Sequence, residues 1–188
     1  MHVQEIKEPS EFREAAPARP RPLLLLDIDG VISLFGFARH DPPPGRFHAI
    51  EGIPHFLSAA VGAQLARLAS SFELVWASGW EDRANDPLPH LLGLPGPLPF
   101  LRFTRSSAAG SSMRAHWKLA AVDAYAPARA LAWIDDAFDA SCEQWAAARQ
   151  APTLLISTEP AVGLTDAQAD RLIAWASSVS GGPAGAGP

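Results

Sequence analysis

Four leucines in succession, Leu23–Leu26, run directly into Asp27-Ile28-Asp29-Gly30. A short apolar run with no polar residue in alternation suits a strand covered on both faces, as at the centre of a parallel sheet. Such a strand needs a layer above it and a layer below it, so the chain must supply helices for both. Comparable apolar runs recur at residues 73–77, 130–134 and 153–156, with 100–103 as a weaker fifth. Helical spacing fills the gaps between them. Residues 54–69 place Phe56, Leu57, Val61, Leu65 and Leu68 three and four apart, with Pro54 in the first turn, where its missing N–H costs nothing. Residues 113–124 follow serines able to cap a helix, and 139–150 and 166–178 complete the set, the last with Thr165 as its cap. Strands alternating with helices predict right-handed crossovers and a three-layer α/β/α sandwich around a central parallel sheet. Ligands of such sheets bind at the carboxyl ends of the strands.

The chain of 188 residues has the size of one compact domain. The organisation expected is an arm over residues 1–21, one folded domain over 22–179 and a disordered Gly/Pro/Ala tail over 180–188. No apolar run approaches the roughly 20 residues that a bilayer-spanning helix needs, and residues 1–22 lack the apolar centre of a secretory signal. No membrane partner and a cytoplasmic location are therefore expected. Cys142, the single cysteine, allows neither an internal disulfide nor a thiolate zinc cluster. A net charge of −5 argues against nucleic-acid binding by bulk electrostatics. Residues 99–118 nevertheless carry Arg102, Arg105, Arg114 and Lys118 with no acid among them, a stretch that would welcome an anionic group.

The ends of the predicted strands say where chemistry belongs. Past the first come Asp27 and Asp29, past the second Ser78 and Gly79, and past the fourth Asp135 and Asp136, so four carboxylates and a hydroxyl converge on one edge. A calcium loop is excluded, because VISLFGF after Gly30 supplies none of the further oxygen donors it would need. In chain order the pattern is apolar run and DIDG, apolar run and SG, a helical lysine at Lys118, then apolar run and DD. This order resembles the four motifs of the haloacid-dehalogenase-like (HAD) superfamily over about residues 22–160. The resemblance implies a Rossmann-like fold, and the short segments 30–73 and 79–114 leave room for no full cap domain.

The chemistry that goes with the resemblance is phosphoryl transfer. A carboxylate attacks a phosphoryl group only when something cancels their repulsion, and hard oxygens from Asp27, the main-chain carbonyl of Asp29 and Asp136 would suit Mg²⁺, with Asp135 beside it. Asp27 is then the expected nucleophile, forming an aspartyl-phosphate, and Asp29 the acid that protonates the leaving oxygen and later the base that activates water. Ser78, with the Gly79 amide, would hold phosphoryl oxygens, and Lys118 would neutralise charge on Asp27 and the phosphate. Superfamily members that cleave carbon–halogen bonds lack the second acid of DIDG, so Asp29 favours phosphate over halide. The expected partner is a phosphorylated substrate, a small molecule or a nucleic-acid end. The WASGWEDRAN stretch and the Ala/Pro-rich composition are similar to small uncharacterised bacterial HAD-like proteins. Polynucleotide 3′-phosphatases look similar too, but this chain has Trp80 where they place Arg. Trp80 is expected to pack, or else to stack on a base, and Arg83, Arg102 and Arg105 are either surface residues or compensation for the lost contact. A phosphate-binding or scaffolding protein of the same fold is the alternative from another class. No histidine shows metal-ligand spacing, and Trp117 is expected to point away from Lys118 as a core residue.

Overall fold

The computed structural model describes residues 20–103 and 115–181. The arm expected over residues 1–21 and the tail over 180–188 lie outside these residues, apart from Pro20, Arg21, Ser180 and Gly181. The four apolar runs become four parallel strands, β1 (Leu23–Leu26), β5 (Glu73–Trp76), β6 (Leu131–Asp135) and β7 (Thr153–Ser157), in the order β5-β1-β6-β7. Leu26 lies level with Trp76 on one side and Ile134 on the other, so the three strands end together.

All four leucines of β1 are fully buried, and they serve two different cores. Leu24 and Leu26 pack into a cluster with Leu65 and Leu68 of α1 (Val61–Ala69) and with Leu172 and Ala176 of α5 (Asp166–Ser180). Leu23 and Leu25 join Trp133, Val122 of α3 (Leu119–Tyr125) and Cys142 of α4 (Ala140–Ala148). Each leucine contributes roughly 1.5–3 kcal/mol by leaving water, and the alternation is what makes three layers of one sheet and two helical faces. Asp139 caps α4 by accepting from the Ser141 and Cys142 amides, and Thr165 and Gln168 close a capping box on α5.

Two elements differ from expectation. Residues 54–69 are not one helix: Ile53–Ser58 is a strand, β4, and the helix begins only at Val61. β4 is the middle of a small antiparallel sheet, in the order β2-β4-β3, with β2 (Ser33–Leu34) and β3 (Gly45–Ile50). Its hairpin to β3 turns on Glu51 and Gly52, at φ 50° and 79°, the two positive angles of a tight turn that matches strand twist. β2 reaches only Phe56 and Leu57, so Pro54 sits where β4 is an edge and a missing N–H is tolerated. The fifth strand expected at 100–103 shrinks to a single bridge between Trp76 and Phe100, and the Phe103 amide donates to the Glu81 carboxylate instead of to a ladder.

Between β5 and residue 103 the chain forms one 3₁₀ turn (Glu81–Asn85) and α2 (Leu88–Leu92), and no full cap domain is present among the described residues. The helix expected at 113–124 is a 3₁₀ turn, Ala115–Lys118, running into α3; Met113, Arg114 and the serines before them lie outside the described residues. No described helix is long and apolar enough to cross a membrane.

Candidate active site

The strands deliver their next residues to one edge. Backbone alternation carries Asp27 to the face of Leu23 and Leu25, where the 3₁₀ turn presents Lys118. The Lys118 Nζ stands 2.9 Å from Asp27 Oδ2 and 2.7 Å from Asp135 Oδ2. All three side chains are buried, Asp135 completely. The second Asp135 oxygen accepts from the Ala137 amide at 3.0 Å, so both of its oxygens are engaged. Asp136, half-buried, is hydrogen-bonded by its own main-chain N–H and leans on the loop after β1. A Cβ at Gly30 would lie 2.5 Å from the Asp136 carboxyl, and Gly30 has φ 74°; only glycine lets the DIDG turn and Asp136 approach this closely. Thr158 ties that turn down by donating to the Gly30 carbonyl at 2.9 Å.

These residues open onto a cavity of about 410 Å³. Asp27, Asp29, Ser78, Gly79, Trp80, Lys118, Asp135 and Asp136 line it; Arg83, exposed and paired with Glu51 at 3.3 Å, does not, nor does Arg102, which lies 4.9 Å from the Phe100 ring, while Arg105 and Arg114 lie outside the described residues. Trp80 neither simply packs nor stands free: its Nε1 donates to Asp29 Oδ2 at 3.0 Å. Trp117 also departs from expectation: it lines the cavity, with its ring centroid 5.6 Å from the Lys118 Nζ. Sequence reasoning missed Phe35, half exposed at the rim, and His55. The His55 Nδ1 is 3.0 Å from the Ser33 Oγ and 3.9 Å from Asp29 Oδ1, with its ring edge-on to Trp80. Reading β4 as a helix hid it; the signal was the Glu-Gly turn two residues ahead of Pro54.

The arrangement crowds negative charge. Burial pushes Asp135 up to about 6, helped by the neighbouring Asp27 and opposed by Lys118. Burial and Asp27 raise Asp136 as well. Burial works to depress Lys118, but Asp27 and Asp135 overcome it and hold the ammonium above its ordinary value. Burial also lifts Asp29, the Trp80 hydrogen bond opposes this, and Asp27 adds to it, which leaves a carboxyl readier than usual to hold a proton.

The family model describing the HAD domain in Swiss Army Knife RNA repair proteins matches residues 23–169. The chain belongs to that family. No curated protein matches it. HAD domains typically use Mg²⁺, and in this one Asp27, Asp135 and Asp136 offer oxygens that all lie within 4.8 Å of one another. The donor set fits such an ion: three carboxylates balanced by one lysine leave an excess of negative charge on hard oxygens, which is what a magnesium site supplies. Two details of the WASGWEDRAN stretch are structural. Asn85 accepts from the Trp76 indole at 2.9 Å and clasps the Leu98 amide and carbonyl, and Glu81, at φ 50°, accepts from the Phe103 amide at 2.8 Å.

Proposed function

We propose that the protein is a Mg²⁺-dependent phosphomonoester hydrolase working through an aspartyl-phosphate on Asp27. The observation that carries this reading is Lys118 clamped between Asp27 and Asp135 at the mouth of a carboxylate cluster, with a second acid, Asp29, two residues from the first. Asp27, Asp135 and Asp136 would hold the ion, with Asp136 the better direct ligand because both Asp135 oxygens are already engaged. When bound, the ion would offset the charge that otherwise keeps a carboxylate from a phosphate.

The chain's own groups then divide the work. Asp27 attacks phosphorus through one carboxylate oxygen, while Lys118 holds the other oxygen and keeps the side chain aimed. Asp29 gives its proton to the departing oxygen; once the product has left, the same carboxylate takes a proton from the water that attacks the acyl phosphate and frees Asp27. Ser78 and the Gly79 amide, both lining the cavity, donate to phosphoryl oxygens in this reading. Trp80 fixes the Asp29 carboxyl in the orientation the transfer requires.

The family's description favours an RNA end over a free metabolite as the bearer of the phosphate, which makes a polynucleotide 3′-phosphatase the specific form of the reading. Phosphate release from p-nitrophenyl phosphate and from a 3′-phosphorylated oligoribonucleotide, with and without Mg²⁺, tests it. Metal-dependent turnover lost in Asp27→Asn and strongly reduced in Asp29→Asn is expected. Turnover that survives Asp27→Asn refutes the covalent route, and binding of phosphate without any turnover favours a scaffolding role.

A further inference from the structure

A second cavity, of about 530 Å³, lies beside the first and shares Asp29 and Trp80 with it. Its size falls within the about 300–1,000 Å³ of ordinary small-ligand sites. The tip of the β3–β4 hairpin forms one wall and the 3₁₀ turn after β5 forms the other. Asp29 is the acid that meets the departing oxygen, so whatever is attached to that oxygen extends past Asp29 on the side away from Asp27. That side is this cavity.

Its lining selects among leaving groups. Ala49, Ile53 and Pro87 are its apolar lining residues beside Ile50 and Trp80, and Ile53 is 58% exposed, a large uncovered side chain. Such a lining suits a flat ring. The charged groups are Glu51, Asp86 and Asp29 against Arg83, and Arg83 is already paired with Glu51. The surplus is of acceptors. A second phosphate held here would face carboxylates, whereas hydroxyls and ring amino groups would find partners. A ring with donors and no charge of its own is a nucleoside.

We infer that this cavity is the subsite for the terminal nucleoside of the phosphorylated end, held between the hairpin tip and Trp80. The inference rests on the phosphatase reading and adds to it what the enzyme grips besides phosphate. The hairpin insertion that follows DIDG then serves as a specificity element, and the remainder of a polynucleotide leaves through the open side.

The test compares kcat/KM for adenosine 3′-monophosphate, adenosine 5′-monophosphate and glycerol 2-phosphate in the wild type, in Ala49→Trp, which fills the cavity from an exposed strand position, and in Ile53→Ala. At least one nucleotide is expected to exceed glycerol 2-phosphate by about fivefold or more, the low end of what stacking one base contributes; the 3′ and 5′ arms show which end is bound. In Ala49→Trp that ratio falls toward one, and Ile53→Ala reduces it. Equal rates for all three esters, or a ratio unchanged by both variants while their melting temperatures match the wild type, overturns the inference. Adenosine binding followed by saturation-transfer NMR needs no turnover. A protein that binds adenosine, loses it in Ala49→Trp and hydrolyses nothing would refute the phosphatase and leave the nucleoside subsite; one that hydrolyses esters and ignores adenosine does the reverse.

Discussion

Replacing Lys118 by methionine keeps most of the side chain's volume and removes its charge. In the wild type that charge lies 2.9 Å from Asp27 and 2.7 Å from Asp135, and Asp135 has no exposed surface at all. Breaking a buried ion pair by deleting one partner costs about 3–5 kcal/mol, because the other charge is left uncompensated. For a chain of this size, at about 2–4 °C per kcal/mol, the melting temperature of metal-free protein should fall by roughly 6–20 °C at pH 8. The sign of the pH dependence follows from Asp135. Its folded pKa is raised, to about 6 even with Lys118 present, so the folded state binds a proton more readily than the unfolded chain. Losing the ammonium raises it further. The variant therefore recovers stability relative to the wild type as pH falls from 8 toward 6, and the recovery is complete once the carboxyl is neutral in both proteins. Adding Asp135→Asn should restore much of the loss at pH 8. Thermal and urea unfolding of the three proteins at pH 8 and pH 5, in EDTA, measures all of this. A cost below about 1 kcal/mol at pH 8, or one that is the same at both pH values, would show that the lysine does not compensate buried charge here.

Three further outcomes are expected. Trp80→Phe removes the hydrogen bond that opposes the upward shift of Asp29, so the limb of the kcat/KM profile on which that proton is lost should move to higher pH; a profile that does not move means the indole does not tune the acid. Gly30→Ala drives a Cβ into the Asp136 carboxyl from a backbone angle that alanine resists, and isothermal calorimetry should show Mg²⁺ affinity reduced by about tenfold or more, as expected when the groups orienting a ligand are disturbed. Asn85→Ala leaves the buried Trp76 indole N–H and the Leu98 peptide unpaired, and at about 1–3 kcal/mol for each orphaned group the protein should lose about 3 kcal/mol in chemical denaturation.

The parallel sheet is legible in the sequence because its signal is local. Leu23–Leu26 is apolar throughout, its counterparts hold apolar runs at 74–76, 131–134 and 154–156, and burial on both faces leaves that mark on β1, β5 and β6 whatever surrounds the strand. The hairpin is harder, because its order comes from partners. Phe56 and Leu57 belong to β4 by pairing with β2 and β3, yet their spacing to Val61 and Leu65 also fits a helix; period alone cannot separate the two over so short a stretch. The same limit hides His55, which gains its place from the strand's register with Ser33. Asp27, Ser78, Asp135 and Asp136 can be found from sequence since each lies within two residues of its strand's carboxyl end. The contact between Trp80 and Asp29 spans 51 residues and has no local trace.

The alternation of the four leucines couples two things that are usually thought of separately, the packing of the molecule and the aim of its reactive group. Leu23 and Leu25 face one core, Leu24 and Leu26 the other, and Asp27 takes the next turn in that sequence. Inserting or deleting one residue between Pro22 and Asp27 would reverse every side chain from that point, and a shift that kept the hydrophobic contacts would turn Asp27 away from Lys118. Evolution can therefore lengthen the loops around this edge at will, but the strand itself behaves like a key whose teeth and tip are cut in one piece.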